Sequence, residues 1–306
     1  MLTIFTTAKP FRGHFEIIQR NALKSWTLLH PDIQIILFGD DAGAGEIARD
    51  LGIQHQPFAL KTAYAAMRVD YMFARAQELS RFNLCCYINC DIILLQDFCA
   101  ALRRTVAAYP HFLMVGRRWD LDITEPLPFH APDWQARLAQ QVRQSARQRT
   151  PDWIDYFAFS RGVLGRNLPP LAIGRPFWDN WLVWKVLAAS KPVVDASEVV
   201  LAVHQNHDYS HHPQGEKGVW DGEDQRVNFQ LIGGHGHLRT IANAPYRLTP
   251  SGFAPNRLHR IHYWLTRGKH FGILVVTKFQ SYVWHPILDF TRPLRNAVGL
   301  RRSSIE

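Results

Sequence analysis

The sequence predicts an α/β fold: a doubly wound, mostly parallel central sheet with helices on both faces. Three observations carry this expectation. Short apolar runs alternate with amphipathic segments from residue 2 to residue 116, the pattern of strands joined by crossover helices. The run Leu84–Ile88 is apolar on both faces, which suits a strand buried inside a parallel sheet. Polar side chains then gather where the runs end, and in such sheets ligands bind beyond the carboxyl ends of the strands.

Each element follows from the order of residues. "LTIFTT" (2–7) reads as a strand that ends before Lys9 and Pro10. Phe15, Ile18, Ala22, Trp26 and Leu29 recur at helical spacing until Pro31 stops them. "IQIILF" (33–38) is a second strand, closed by Gly39, Asp40 and Asp41, and "AGEIARDLG" (44–52) is a short helix ending at Gly52. Residues 62–80 are rich in good helix formers and predict one long helix. After strand 84–88, a helix is expected over 97–108 and a strand over 112–116. The second half is less regular, with a polar helix over 133–149, a strand within 152–160, a helix over 178–189 and a strand over 199–203.

Composition bounds the class. With 47% apolar and 20% charged residues the chain reads as a soluble globular protein. "MLTIFTTAKP" lacks the features of a targeting segment, and no apolar run reaches the length of a membrane span. Four cysteines, at 85, 86, 90 and 99, lack zinc-site spacing and read as buried thiols of a reducing, cytoplasmic compartment. The net charge of +9 is uneven: residues 245–306 hold ten Lys/Arg against two Asp/Glu, hence +8, and residues 1–244 hold 25 against 24, hence +1. This divides the chain into a body over 1–244, with halves at 1–125 and 126–244, and a basic, aromatic-rich extension over 245–306. That extension suits an anionic membrane surface, placing the protein peripherally on the inner face of a membrane. Nucleic acid is disfavoured because no recognition motif is present.

The chemistry concentrates in "YINCDIILL" (87–95), where Asn89 and Asp91 interrupt an apolar run. A carboxylate in apolar surroundings needs a partner. Either the pair forms an Asx-type turn, or Asp91 holds a divalent metal, for which oxygen ligands are suited. Thr6, Thr7, Asp40 and Asp41 should crowd the same strand edge. His204 and His207, after strand 199–203, are candidate ligands beside Asp91, whereas His211 and His212 read as solvated surface. "RRWDLDI" offers a rival metal motif in Asp120 and Asp122. Asp179 opens a helix, as a capping acid or as a general base. Arg68 lies on the polar face of the 62–80 helix.

Taken together these segments resemble the metal-dependent glycosyltransferases of GT-A fold, over roughly residues 1–212. "YINCDIIL" looks like their strand-end metal motif with Asn89 in place of the first aspartate. "TIFTT" and the acids of "FGDD" look like their base- and ribose-binding elements, "GRPFWDNWLVW" like the stretch that supplies a catalytic base, and "AVHQNHDYSH" like a distal histidine segment that completes the metal shell. The resemblance implies transfer of a sugar from a nucleotide-sugar donor to a glycan or lipid-linked acceptor, assisted by Mn²⁺ or Mg²⁺. It assigns the metal to Asp91, His204 and His207, the donor to Thr6, Thr7, Asp40, Arg68 and Asn89, and catalysis to Asp179. Asp120, Asp122, Asp155, Trp178 and Asn180 are assigned to an acceptor or sugar pocket. Two other classes stay open: a sugar-phosphate nucleotidyltransferase, against which the missing glycine-rich loop argues, and a non-catalytic protein that binds anionic surfaces through its tail.

Overall fold

The computed structural model describes residues 1–164, 167–210 and 212–256. In chain order the elements are β1 (Leu2–Thr7), α1 (His14–Thr27), β2 (Ile33–Phe38), α2 (Ala44–Leu51), β3 (Gln54–Gln56), α3 (Val69–Leu79), β4 (Leu84–Ile88), β5 (Ile92–Ile93) and α4 (Gln96–Ala108). There follow β6 (Leu113–Val115), β7 (Arg118–Leu121), α5 (Trp134–Ser145), β8 (Arg147–Gln148), β9 (Tyr156–Ser160) and α6 (Trp178–Ala188). The remainder are β10 (Val193–Asp195), β11 (Ala202–Gln205), α7 (Gly215–Trp220), α8 (Glu223–Leu231), β12 (Tyr246–Thr249) and β13 (Gly252–Pro255).

Nine strands form the main sheet in the order β13-β12-β10-β6-β9-β4-β1-β2-β3. Most neighbours are parallel, but β9 runs antiparallel to both β4 and β6, and β13 is antiparallel to β12. Strand alternation divides the core into two layers, as the two-residue period requires. Ile4, Ile35, Leu37, Cys86, Ile88, Met114 and Ala158 face one way and pack with Trp26 of α1, Ile47 of α2 and Phe98 of α4. Phe5, Ile36, Phe38, Tyr87, Val115 and Phe157 face the other way, against Phe73 of α3 and Leu182 of α6. Ring contacts consolidate that second layer, with Phe5 edge-on to Phe73 at 5.0 Å and Phe73 stacked on Phe159 at 5.8 Å. A smaller sheet, β5-β11-β7-β8, covers Trp134, Leu138 and Val142 of α5.

Several elements depart from the sequence reading, each for a local reason. The long helix expected over 62–80 begins only at Val69. Thr62 Oγ1 accepts from the backbone N–H groups of Tyr64 and Ala66, Ala65 takes φ +66°, and Lys61 bridges to Met67. Side-chain competition for backbone N–H groups thus favours a turn there. Arg68 becomes the extended residue before α3 rather than a residue on its face. The strand expected over 199–203 is shifted to Ala202–Gln205, so His204 lies within β11 and not beyond it. The polar helix expected to 149 ends at Ser145, and Arg147–Gln148 add to the small sheet. Strands β12 and β13 extend the main sheet past the 244/245 boundary expected from charge, and the compact unit runs to Asn256. Residue 257 onward, with the membrane-binding role expected of the extension, lies outside the described residues, as does His211. Among the described residues no helix is long and apolar enough to cross a membrane. All four cysteines are free and buried.

Candidate active site

The carboxyl ends of β1 and β4, the start of β9 and the start of α6 open onto one cleft of about 1570 Å³. Strand direction explains the meeting of Asn89 and Asp155. Because β9 is antiparallel to β4 and Ile88 pairs with Tyr156, the residue that enters β9 lies beside the residue that leaves β4. Asn89 N–H donates to the Asp155 carbonyl at 2.9 Å, and Asn89 Nδ2 donates to Asp155 Oδ1 at 2.6 Å. On its other side Asn89 Oδ1 accepts from the Tyr87 hydroxyl at 2.7 Å. The amide is therefore committed at both ends. It also explains why this position carries no carboxylate: an acid here would set two negative charges in contact, which disfavours ionisation of one of them.

Asp91 lies two residues on, and it gathers cationic and imidazole groups. Its Oδ2 is 3.1 Å from His207 Nε2 and 3.7 Å from Lys9 Nζ, while Oδ1 is buried and makes no hydrogen bond. Burial opposes ionisation of Asp91, but the hydrogen bond from His207 and the nearby charges of His204 and Lys9 outweigh it, holding the carboxyl well below the ordinary range. Ligand atoms of Asp91, His204 and His207 lie within 4.8 Å of one another. One carboxylate with two imidazoles, and one buried oxygen left over, fit a divalent transition metal such as Mn²⁺; Mg²⁺, which favours an all-oxygen shell, fits less well.

Asp120 and Asp122 are separated in space. Asp120 is buried; Arg118 Nε donates to its Oδ1 at 2.9 Å, Arg149 Nε donates to its Oδ2, and its carboxyl is held well below the ordinary range. Burial pulls against that shift, and the adjacent His204 ring and the Arg118 charge exceed it. His204 Nδ1 lies 3.3 Å from Asp120 Oδ1, in register across β11 and β7, although its alignment falls short of a hydrogen bond. Arg118 also donates to Asp155 Oδ1 at 2.9 Å, and both arginines lie over the Trp153 ring, at 4.7 and 4.8 Å. Asp122 is exposed, accepts from Asn206 Nδ2 at 2.7 Å, and is not among the residues lining the cleft. Asp120 is thus a buried, arginine-paired acid that lines the cleft, and Asp122 an exposed acid that does not.

Asp179 lies in the first turn of α6 and lines the same cleft. Phe177 precedes it with φ +86°, a conformation that costs a non-glycine residue about 1–3 kcal/mol and recurs at functional sites. Desolvation lifts the Asp179 carboxyl to about 7, with backbone N–H bonds opposing and the Asp155 charge adding. Asn180 lines the cleft, donating to the Asp152 carbonyl at 3.2 Å. Trp178 lines it too, but its ring is packed on Tyr87 at 5.2 Å and Phe157 at 5.4 Å.

Of the donor-side candidates, Thr7 and Asn89 line the cleft. Thr6 does not; it is buried and donates to the Ile88 carbonyl at 2.6 Å, tying β1 to the end of β4. Asp40 is exposed and paired with Lys61 at 2.9 Å, and it is the neighbouring Asp41 that lines the cleft. Arg68 pairs with Asp70 and stays outside it. Sequence reasoning missed Lys9, Arg149 and Trp153, whereas the arginines that precede the acids of "RRWDLDI" are candidates to pair with them, and Arg118 does pair with Asp120. Lys9 carried a usable signal, a lysine just past a strand's carboxyl end; Arg149 and Trp153 depend on the tertiary packing around the small sheet.

No protein-family model matches the chain, and no curated protein matches it in sequence. Among solved structures it is similar to S. aureus TarS 1–349 in complex with UDP-GlcNAc, with a TM-score of 0.50 at 9% identity, over 76% of this chain and 65% of that one. It thus spans about two thirds of that structure's length. It is also similar to the mannosyltransferase PcManGT from Pyrobaculum calidifontis in complex with GDP-Man and Mn²⁺, with a TM-score of 0.41 at 11% identity, over 70% of this chain and 59% of that one. The fold is GT-A-like.

Proposed function

We propose that this chain moves a sugar from a nucleoside-diphosphate donor to an acceptor hydroxyl, with Asp179 as general base. One observation carries the reading: an Asp91–His204–His207 cluster and a carboxyl raised to about 7 share one cleft at the strand ends of a GT-A-like sheet. A divalent ion held by Asp91, His204 and His207 would supply positive charge where the departing diphosphate develops negative charge. Asp179 is suited to take the acceptor proton, because a base poised near neutrality is both available and strong enough. The acceptor oxygen then bonds to the anomeric carbon as the bond to the diphosphate oxygen breaks, its electron pair leaving with the nucleoside diphosphate. A base acting directly on the acceptor corresponds to inversion. Thr7 and Asp41, which line the cleft, are assigned to its donor side. The acceptor belongs to the glycan or lipid-linked class, and the basic extension is assigned to bring the chain to an anionic membrane surface on its cytoplasmic side.

The test is release of nucleoside diphosphate from a panel of UDP- and GDP-sugars, with and without Mn²⁺, using Asp91→Ala as control. Donor-dependent release that Asp91→Ala abolishes supports the reading. A panel in which no donor is turned over and none raises the melting temperature sinks it.

A further inference from the structure

Lys9 reaches the Asp91 and His207 side chains. Its backbone is fixed by Gln19, whose Oε1 accepts the Lys9 N–H at 2.6 Å and whose Nε2 donates to the Lys9 carbonyl at 2.9 Å. The side chain passes over the Phe15 ring at 4.9 Å, bringing Nζ to 3.0 Å from His207 Nε2 and 3.7 Å from Asp91 Oδ2. His207 Nδ1 lies 2.7 Å from the Asp208 carbonyl, and His207 Nε2 lies 3.1 Å from Asp91 Oδ2. Lys9 Nζ is thus set against an imidazole nitrogen and a carboxylate oxygen that both belong to the group of atoms able to hold an ion.

We infer that Lys9 is a built-in competitor for the divalent ion, so that the ion enters the Asp91–His207 pair only when the ammonium swings out. This rests on the proposed metal role of Asp91, His204 and His207. An ammonium and a divalent ion cannot share these atoms, since like charges a few ångströms apart in a partly buried site repel strongly. The fixed backbone keeps the displaced ammonium in the cleft, where an anionic diphosphate attracts it. Ion and donor diphosphate therefore bind cooperatively, each favouring the conformer with Lys9 withdrawn.

Mn²⁺ binding to the full chain, followed by the loss of the free-ion EPR signal, tests this without any turnover. Wild type should bind Mn²⁺ weakly alone and at least about tenfold more tightly with a nucleoside diphosphate present. Lys9→Met should bind Mn²⁺ alone at least about tenfold more tightly than wild type, with most of the nucleotide dependence gone. Lys9→Gln provides a second uncharged variant, and circular dichroism confirms that each is folded. Equal Mn²⁺ affinity in wild type and both variants overturns the competition while leaving the metal site standing. Failure of every protein to bind Mn²⁺, with or without nucleotide, overturns both. Binding that survives Asp91→Asn in the Lys9→Met background puts the ion elsewhere and overturns the inference.

Discussion

Replacing Asp179 by asparagine keeps the side chain's size and removes its ionisation, which makes its effect on stability a direct probe of the site. In the folded chain the carboxyl titrates near 7, against about 3.9 when unfolded. Below the lower value both states hold the proton and the group is neutral in its effect. Between the two only the folded state holds it, so wild-type stability falls as pH rises from about 4 to about 7 and then levels. The interval corresponds to about 4 kcal/mol at most, at roughly 1.36 kcal/mol per pH unit, reduced to the extent that cleft water reaches the carboxylate. At about 2 °C per kcal/mol for a body of this size, Asp179→Asn should gain up to ~8 °C over wild type at pH 8 relative to its difference at pH 4. Differential scanning fluorimetry of both proteins across that range measures it, and other titrating groups cancel in the difference. A melting-temperature difference that does not change with pH would refute the claim that burial holds this carboxyl near neutrality. The same variant should lose about 10²–10⁴ in turnover, while wild-type kcat/KM climbs with pH to a plateau above about 7.

Asn89→Asp should destabilise the fold by about 1–3 kcal/mol at pH 8, by exchanging a donor to Asp155 for a second negative charge, with the loss shrinking in acid; urea titration at two pH values reads it. Arg118→Leu should cost about 3–5 kcal/mol by leaving Asp120 and Asp155 without their buried guanidinium, and a cost near zero would mean the clamp is replaceable. Asp91→Asn should abolish Mn²⁺ binding and also lower the melting temperature at neutral pH in the absence of ions, because the carboxylate that Lys9 and His207 hold ionised stabilises the fold there; unchanged ion affinity would remove Asp91 from the site. Phe98→Ala, fully buried against Tyr156 and not among the residues lining the cleft, should cost about 3–5 kcal/mol without changing the affinity for donor, separating fold from function.

The parallel β4-β1-β2 part of the sheet was legible because its strands are long and apolar and its helices periodic; β1, β2 and β4 fall on the residues expected of them. The small sheet was not, since β5, β7 and β8 are two to four residues long and gain their pairing only from tertiary context. That difference bears on the candidate site. Asp91 was readable as a charge inside an apolar run, whereas the Arg118–Asp120–Arg149 clamp exists only once β7 and β8 pair. The misplaced start of the 62–80 helix has the same character: good helix formers were outweighed by one threonine hydroxyl and a local bridge.

The antiparallel course of β9 has a consequence for how such a chain can change. The sheet is left at Val115 and re-entered at Tyr156 on neighbouring strands, so residues 116–155 form one excursion that begins and ends at the same rim. It carries Arg118, Asp120, Arg149 and Trp153. An excursion closed at its own base can lengthen, shorten or be exchanged without moving any register in the sheet beneath it. One wall of the cleft is in that sense a replaceable cassette, and the loops after β1, β2 and β4 are the fixed frame into which it is set.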